Sequence, residues 1–305
     1  MMSALTIKTP AKLNLFLHVT GRREDGYHLL QSLFVPIACY DHLSFKLNVH
    51  GQIRRLTDNA GIAEADDLVI KAAHGLKKLV GRTDLGVAIA LQKNIPSGAG
   101  LGGGSSDAAA TLMALNQLWD LQLRRDELLS LALQLGADVP YFLYQEAALV
   151  EGIGERITPL RQDLRERLAG AHYVLLVPKL AIPTVSIFRD PRLKRDTSQL
   201  SVAQLEKALA ETEPLWRYGH NDLESVARKQ HPALEAMVQW LRDLGIEVRM
   251  SGAGSVFFAV CHTSQQAEEM VAQVRQAYAE LLQRTDAVAE LLCSLALRCV
   301  AVAAI

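Results

Sequence analysis

The residues best suited to chemistry form one run: Pro96, Ser97, Gly98, Ala99, Gly100, Leu101, Gly102, Gly103, Gly104, Ser105 and Ser106. Five of the seven residues from 98 to 104 are glycine. Such a run costs backbone entropy on folding, a cost usually offset where a ligand must approach the main chain. Without Cβ atoms, successive N–H groups can point at phosphate oxygens. A helix that follows at once adds partial positive charge at its N-terminus, about 0.3–1 kcal/mol for one anion. Ala108, Leu112, Leu115 and Trp119 fall on one helical face, which predicts such a helix from Ser105 or Ser106 onward. The two serines can add hydroxyl contacts to phosphate, or, at Ser106, to Mg²⁺. A flexible linker would not lead straight into a patterned helix.

The type of phosphate loop is narrowed by what surrounds it. The pattern GxxxxGK[ST] is absent, because no lysine follows the glycines. GxGxxG does occur at residues 98–103 and admits a nicotinamide oxidoreductase as an alternative. The acidic residue at a suitable distance, Asp120, follows a helix directly, whereas the dinucleotide fold needs a strand before it.

Phosphoryl transfer to an alcohol also needs a cation and an acceptor for the hydroxyl proton. Asp138, in GADVPYF, is the candidate acceptor. An ordinary carboxylate is a weak base, but in a loose transition state orienting the hydroxyl matters more than basicity. Its other reading is a turn aspartate that satisfies backbone N–H groups. Lys12 is the candidate cation, set in the apolar segment PAKLNLFL, where lysine is unusual unless paired or lining a cleft. Asn14, two residues on, shares its face if the strand is regular.

These residues need elements to position them. Apolar and β-branched runs predict strands at 5–20 and 29–49, with the turn-rich link 21–26 between them. A helix is predicted over 66–80, a buried strand over 85–91 and a helix over 126–135, with Gly136 as a left-handed stop. The second half predicts a strand at 171–178 and helices at 201–210, 222–229 and 232–243. Residues 246–260 read as strand, glycine turn, strand, followed by a helix over 264–283. That order suggests a small α+β sandwich. Two domains are expected, 1–165 and 166–305, in line with about 150 residues per domain.

Composition excludes other classes. The 32 basic and 33 acidic side chains leave a net charge of -1, against nucleic-acid binding, which usually shows a basic excess. None of Cys39, Cys261, Cys293 and Cys299 forms a CxxC pair, so neither a zinc knuckle nor a thioredoxin-type site is expected. The N-terminal stretch reads as neither signal nor transit peptide, which points to a bacterial-type cytoplasmic protein. Residues 287–305 approach bilayer length but contain Glu290 and Arg298, and a central arginine costs about 2.5–3.5 kcal/mol on insertion. No membrane association is expected.

Six ordered blocks carry a resemblance: PAKLNLFLHVTGRREDGYH at 10–28, IPSGAGLGGGSSDAA at 95–109, LGADVPYF at 135–142, IPT at 182–184, NDLE at 221–224 and MSGAGSVFF at 250–258. Together they resemble the GHMP kinase superfamily, named for galactokinase, homoserine, mevalonate and phosphomevalonate kinases. The resemblance implies a two-domain α+β GHMP kinase fold. Its N-terminal domain is ribosomal-protein-S5-like and its C-terminal domain a ferredoxin-like α/β sandwich. It implies ATP and Mg²⁺ as cofactors, and phosphorylation of the 2-hydroxyl of a cytidine diphosphate-linked methylerythritol in non-mevalonate isoprenoid precursor biosynthesis. A homoserine- or mevalonate-type alcohol is the alternative substrate. By the same resemblance Asp138 is the proton acceptor, Lys12 its cationic partner and residues 96–106 the triphosphate loop. Tyr27 and His28 hold cytosine, Phe188 stacks on its other side, and Asn14 and Thr184 lie on the substrate side. Lys93 and Asp67 fall near adenine, and the expected state is a monomer or weak homodimer. Two features depart from the pattern. Asp67 stands where many relatives carry Asn, and residues 279–305 lack the Gly- and His-containing ending usual in the superfamily.

Overall fold

The computed structural model describes residues 4–58, 62–212 and 217–305. They form two compact units that interleave along the chain. The first comprises Met1–Ala11, Cys39–Ser97 and Gly102–Gln145; the second comprises Lys12–Ala38, Gly98–Leu101 and Glu146–Ile305. Two long strands, β1 (Ala4–Arg22) and β2 (His28–Asn48), each contribute to both.

In the first unit the C-terminal half of β2 runs antiparallel to β4 (Gly86–Gln92), from His42 opposite Gln92 to Asn48 opposite Gly86. The short β3 (Ile53–Arg55) adds to β4 in parallel. Three helices complete the unit: α1 (Leu68–Leu79), α2 (Gly103–Leu118) and α3 (Arg125–Leu135). Helix α1 buries Val69, Ile70, Ala72, Ala73 and Leu76, the stripe expected of a helix with one covered face. Helix α2 is buried more widely, and Ala108, Ala109 and Ala110 keep more than one of its faces slim.

Two boundaries differ from the sequence expectation. Helix α2 begins at Gly103, ahead of the serines, because Gly102 turns the chain into the helix with φ +71° and accepts the Ser106 N–H at 2.9 Å. Ser105 and Ser106 therefore lie inside the first turn and do not cap it. Gly136 ends α3 with φ 168°, an extended conformation open to any residue, so no left-handed stop operates there. Pro140 then opens a 3₁₀ turn, Pro140–Leu143.

After the Lys12–Ala38 and Gly98–Leu101 segments, the second unit continues with β5 (Ala148–Gly152) and β6 (Arg156–Pro159), followed by α4 (Gln162–Ala169) and β7 (His172–Val177). Helices α5 (Thr184–Arg189), α6 (Val202–Glu211), α7 (Glu224–Gln230) and α8 (Pro232–Asp243) come next. The chain ends in β8 (Arg249–Met250), β9 (Phe257–Cys261), α9 (Ser264–Leu281), α10 (Ala287–Ser294) and β10 (Arg298–Ala303). One antiparallel sheet has the order β10-β7-β9-β8. Its apolar face packs Val174, Leu176, Phe257 and Ala259 with Met237 and Leu241 of α8 and Val274 of α9. The N-terminal half of β2 pairs with β5, Leu30 opposite Gly152. Strands β5 and β6 and helices α4 and α5 carry too few residues for a period to stand out in sequence.

The atypical tail folds into this sheet. Asp286 caps α10 by accepting from the Val288 and Ala289 N–H groups. Strand β10 pairs with β7 along its length, and Leu292, Leu295 and Cys299 enter the core. Among the described residues no helix is long and apolar enough to cross a membrane.

Candidate functional site

The glycine loop runs through both units, and its glycines serve different ends. Gly98, Gly100 and Gly102 all have positive φ, at +64°, +78° and +71°. In the second unit Gly100 lies against the turn after β8. A Cβ at residue 100 would stand 2.1 Å from the Ser251 carbonyl oxygen, and one at Gly252 would stand 3.4 Å from the Gly100 Cα. Gly100 is thus demanded by a backbone neighbour, and Gly252 by its own φ of +56°. Around Gly98 a Cβ would meet nothing within 4 Å, so here the missing side chain leaves open space. In the first unit a Cβ at Gly103 would press on Ile95 at 2.9 Å and stand 3.2 Å from the Lys93 ammonium. The single explanation drawn from sequence, close approach of a ligand to every glycine, therefore holds only in part.

Lys12 and Asn14 sit on β1 next to the Gly98–Leu101 segment of the same unit. Both are buried, at 2% and 1% exposure, which puts a cation in the interior. The Lys12 ammonium donates to the Gly100 carbonyl at 3.0 Å and to Asn14 Oδ1, and lies 4.6 Å from the Phe34 ring centre. Asn14 Nδ2 donates to Ser32 Oγ at 2.9 Å, which fixes the amide orientation. Ser251 Oγ donates to the Gly100 carbonyl at 3.0 Å. Lys12 and Asn14 share a face, as the two-residue repeat of a strand requires.

Asp138 belongs to the first unit. It is half-buried in the turn between α3 and the 3₁₀ turn. Burial, and after it the charge of Asp138, push the Tyr141 phenol well above its ordinary pKa. Lys93 is held by two buried carboxylates, Asp41 and Asp107, with its ammonium 2.8 Å from Asp107 Oδ2. Thr9 Oγ1 donates to the other Asp107 oxygen at 2.6 Å, and Asp41 Oδ1 accepts the Asn94 and Ile95 N–H groups at 2.5 and 2.8 Å. Burial raises the Asp107 pKa to about 6 against the pull of Lys93, and the charge of Asp41 adds to the rise. Desolvation works to lower the Lys93 pKa, but the two carboxylates outweigh it and raise it. Asp67 caps α1, accepting from Val69 N at 3.0 Å, and pairs with Arg55 at 3.0 Å.

On the substrate side Tyr27 is 62% exposed. The His28 and Phe188 rings stack directly, with centres 4.8 Å apart and 28° between planes. A base inserted between them would need about 7 Å, two stacking distances of about 3.5 Å each; on an outer face or edge they need not part. Thr184 opens α5 and is exposed. Ser106 is buried in the first turn of α2, and among the described residues no cluster of three or more His, Cys, Asp or Glu could hold a metal.

Several polar residues around these positions escaped the sequence reading: Ser32, Asp41, Asp107, Arg195 and Ser251. Asp107 lay inside the quoted block SSDAA and could have been singled out as an acidic residue beneath a helix start. Ser251 likewise lay inside the block MSGAGSVFF, whereas Ser32, Asp41 and Arg195 show no local pattern.

The comparisons agree with this architecture. The model for the GHMP kinases N-terminal domain matches residues 67–146, and the GHMP kinases C-terminal model matches 199–280. The chain is 45% identical over 280 residues to the 4-diphosphocytidyl-2-C-methyl-D-erythritol kinase of Bordetella bronchiseptica, covering 90% of each. It is 48% identical over 260 residues to the enzyme of that name from Delftia acidovorans, covering 85% of this chain and 87% of the other. A crystal structure of 4-(cytidine 5'-diphospho)-2C-methyl-D-erythritol kinase superposes with a TM-score of 0.72 at 35% identity, covering 89% of this chain and 96% of that one. Homoserine kinase from Cytophaga hutchinsonii shares the fold, with a TM-score of 0.67 at 16% identity, covering 99% and 95% of the two chains. On this evidence the chain belongs to the GHMP kinases, ATP-dependent kinases of small molecules, and within them to the 4-diphosphocytidyl-2-C-methyl-D-erythritol kinase family.

Proposed function

We propose that this kinase transfers the γ-phosphoryl group of ATP to the 2-hydroxyl of 4-diphosphocytidyl-2-C-methyl-D-erythritol, giving the 2-phosphate and ADP. The observation that carries the choice of substrate is the aromatic group Tyr27, His28 and Phe188 in one unit. A flat base has use for ring faces and an imidazole edge, whereas homoserine or mevalonate has none. The relatives' names support the same substrate. Domains divided near residue 165 remain part of this reading.

The hydroxyl oxygen forms the new bond to the γ-phosphorus as the bond to the β-phosphate oxygen breaks. The hydroxyl proton passes to the Asp138 carboxylate. Residues 96–106 bind the triphosphate, with the space at Gly98 and the first-turn N–H groups of α2 toward its oxygens. Lys12, held in place by Asn14 and the Gly100 carbonyl, supplies positive charge to the phosphoryl oxygens. Asn14 and Thr184 orient the erythritol. Lys93 and Asp67, each already engaged by a charged partner, shape the adenine side.

Mg²⁺ supplies charge neutralisation to the phosphates. Ser106, buried in the first turn of α2, would be its one protein ligand, since this ion keeps waters and phosphate oxygens and seldom needs a full protein cage.

The test is an assay of purified protein with ATP, Mg²⁺ and three alcohols: 4-diphosphocytidyl-2-C-methyl-D-erythritol, homoserine and mevalonate. ADP release with the cytidine compound alone is expected. Turnover of homoserine or mevalonate in its place overturns the substrate.

A further inference from the structure

Arg195 makes four guanidinium hydrogen bonds to neighbours in the second unit. Nε meets His28 Nε2 at 3.0 Å, Nη1 donates to the Leu193 carbonyl at 2.9 Å, and Nη2 donates to the carbonyls of Phe188 and Asp190 at 3.0 and 2.7 Å. A guanidinium has donors and no acceptor. The nitrogen it meets must therefore present a lone pair, and in a neutral imidazole the proton then sits on Nδ1. Protonation of both nitrogens is opposed first by burial and then by the charges of Arg195 and Arg22, which lower the His28 pKa. The Phe188 ring fixes the plane of the same imidazole. Plane and tautomer are thus set by separate contacts, and Arg195 also anchors the backbone that carries Phe188.

We infer that Arg195 is a specificity-determining positioning residue, which holds His28 as a neutral Nδ1–H donor for an acceptor on the substrate's pyrimidine ring. The inference rests on the cytidine reading of the substrate. Cytosine offers a lone pair at N3, whereas uracil carries a hydrogen there. A fixed donor satisfies the first and faces a second donor in the second. A site built for a hydrogen bond rejects the analogue that leaves its polar groups unpaired. An imidazole without Arg195 could exchange tautomers and serve either base.

The first measurement is ¹⁵N NMR of the intact, histidine-labelled protein without substrate. His28 is expected to show a protonated Nδ1 and a bare Nε2; a protonated Nε2 overturns the inference. The second is Arg195→Met, which keeps bulk and removes the donors. We expect its His28 tautomer to move toward Nε2–H. The kcat/KM preference for the cytidine substrate over its uridine counterpart should fall by roughly tenfold or more. An equal loss for both nucleotides would mark a purely structural role and overturn the proposal. Should Arg195→Met not fold, His28→Gln takes its place, because an amide can offer either oxygen or N–H. Reduced discrimination is expected there, and unchanged discrimination counts against the proposal. Failure of the substrate reading looks different: wild-type protein turns over no cytidine compound while the tautomer remains as described.

Discussion

The backbone of Gly100 lies so close to that of Ser251 that a methyl group on Gly100 would stand 2.1 Å from the Ser251 carbonyl oxygen. The Gly100 carbonyl meanwhile accepts from both Ser251 Oγ and the Lys12 ammonium, each at 3.0 Å. The loop is fastened at this residue and open at Gly98.

Alanine separates the two positions. At Gly98 the left-handed backbone alone is penalised, by about 1–2 kcal/mol. At Gly100 the same strain is joined by a backbone collision that no rotamer relieves, so we expect a loss above about 3 kcal/mol. Urea denaturation of the two variants checks the order. Gly98→Ala should in addition raise the KM for ATP, because it fills the space assigned to phosphate.

Lys93 sits between two buried carboxylates. Lys93→Met leaves them without their cation, and breaking a buried pair in this way costs about 3–5 kcal/mol. Adding Asp107→Asn should restore a large part of that loss, since one buried negative charge is gone and Asp41 keeps its two backbone donors. Thermal denaturation of both single variants and the double variant shows whether the effects depart from additivity.

His18 predicts an acid-sensitive component of stability. Burial first, then the neighbouring His220, lower its pKa to about 4. Its ring packs on Phe16 at 4.8 Å and on His220 at 4.7 Å between centres. The unfolded chain takes up the proton near pH 6.5 and the folded chain only near 4, so this contribution is lost as pH falls from about 6.5 to about 4. His18→Gln keeps an acceptor for the His220 N–H and cannot titrate. Its denaturation midpoint should change less between pH 7 and pH 5 than that of the wild-type protein.

Asp138→Asn tests the assigned proton acceptor. Turnover is expected to fall by roughly 10²–10⁴, the range for a positioned acid–base group, with ATP affinity nearly unchanged. Near-normal turnover in a steady-state assay removes Asp138 from the mechanism.

The sequence by itself determined what rests on chain neighbours. The glycine run leads into α2, the two-residue repeat puts Lys12 and Asn14 on one face, and apolar periodicity marks β1, β2 and α1. Each depends on residues a few positions apart, so a repeat in the chain reports it. Even there, the exact start of α2 was settled by the φ of Gly102 and not by the serines.

Only the tertiary structure decided the rest. Lys93 meets Asp41 and His28 meets Arg195 across 52 and 167 residues of chain, and packing at that range leaves no period to read. The same holds for the glycines: residue type announced a close approach at 98, 100 and 103, but only the folded backbone shows whether the approaching partner is open space, Ser251 or Ile95. The tail gives the last case. Residues 298–303 have the apolar content of a strand, yet they became one because β7 offered an edge whose N–H and C=O groups needed partners.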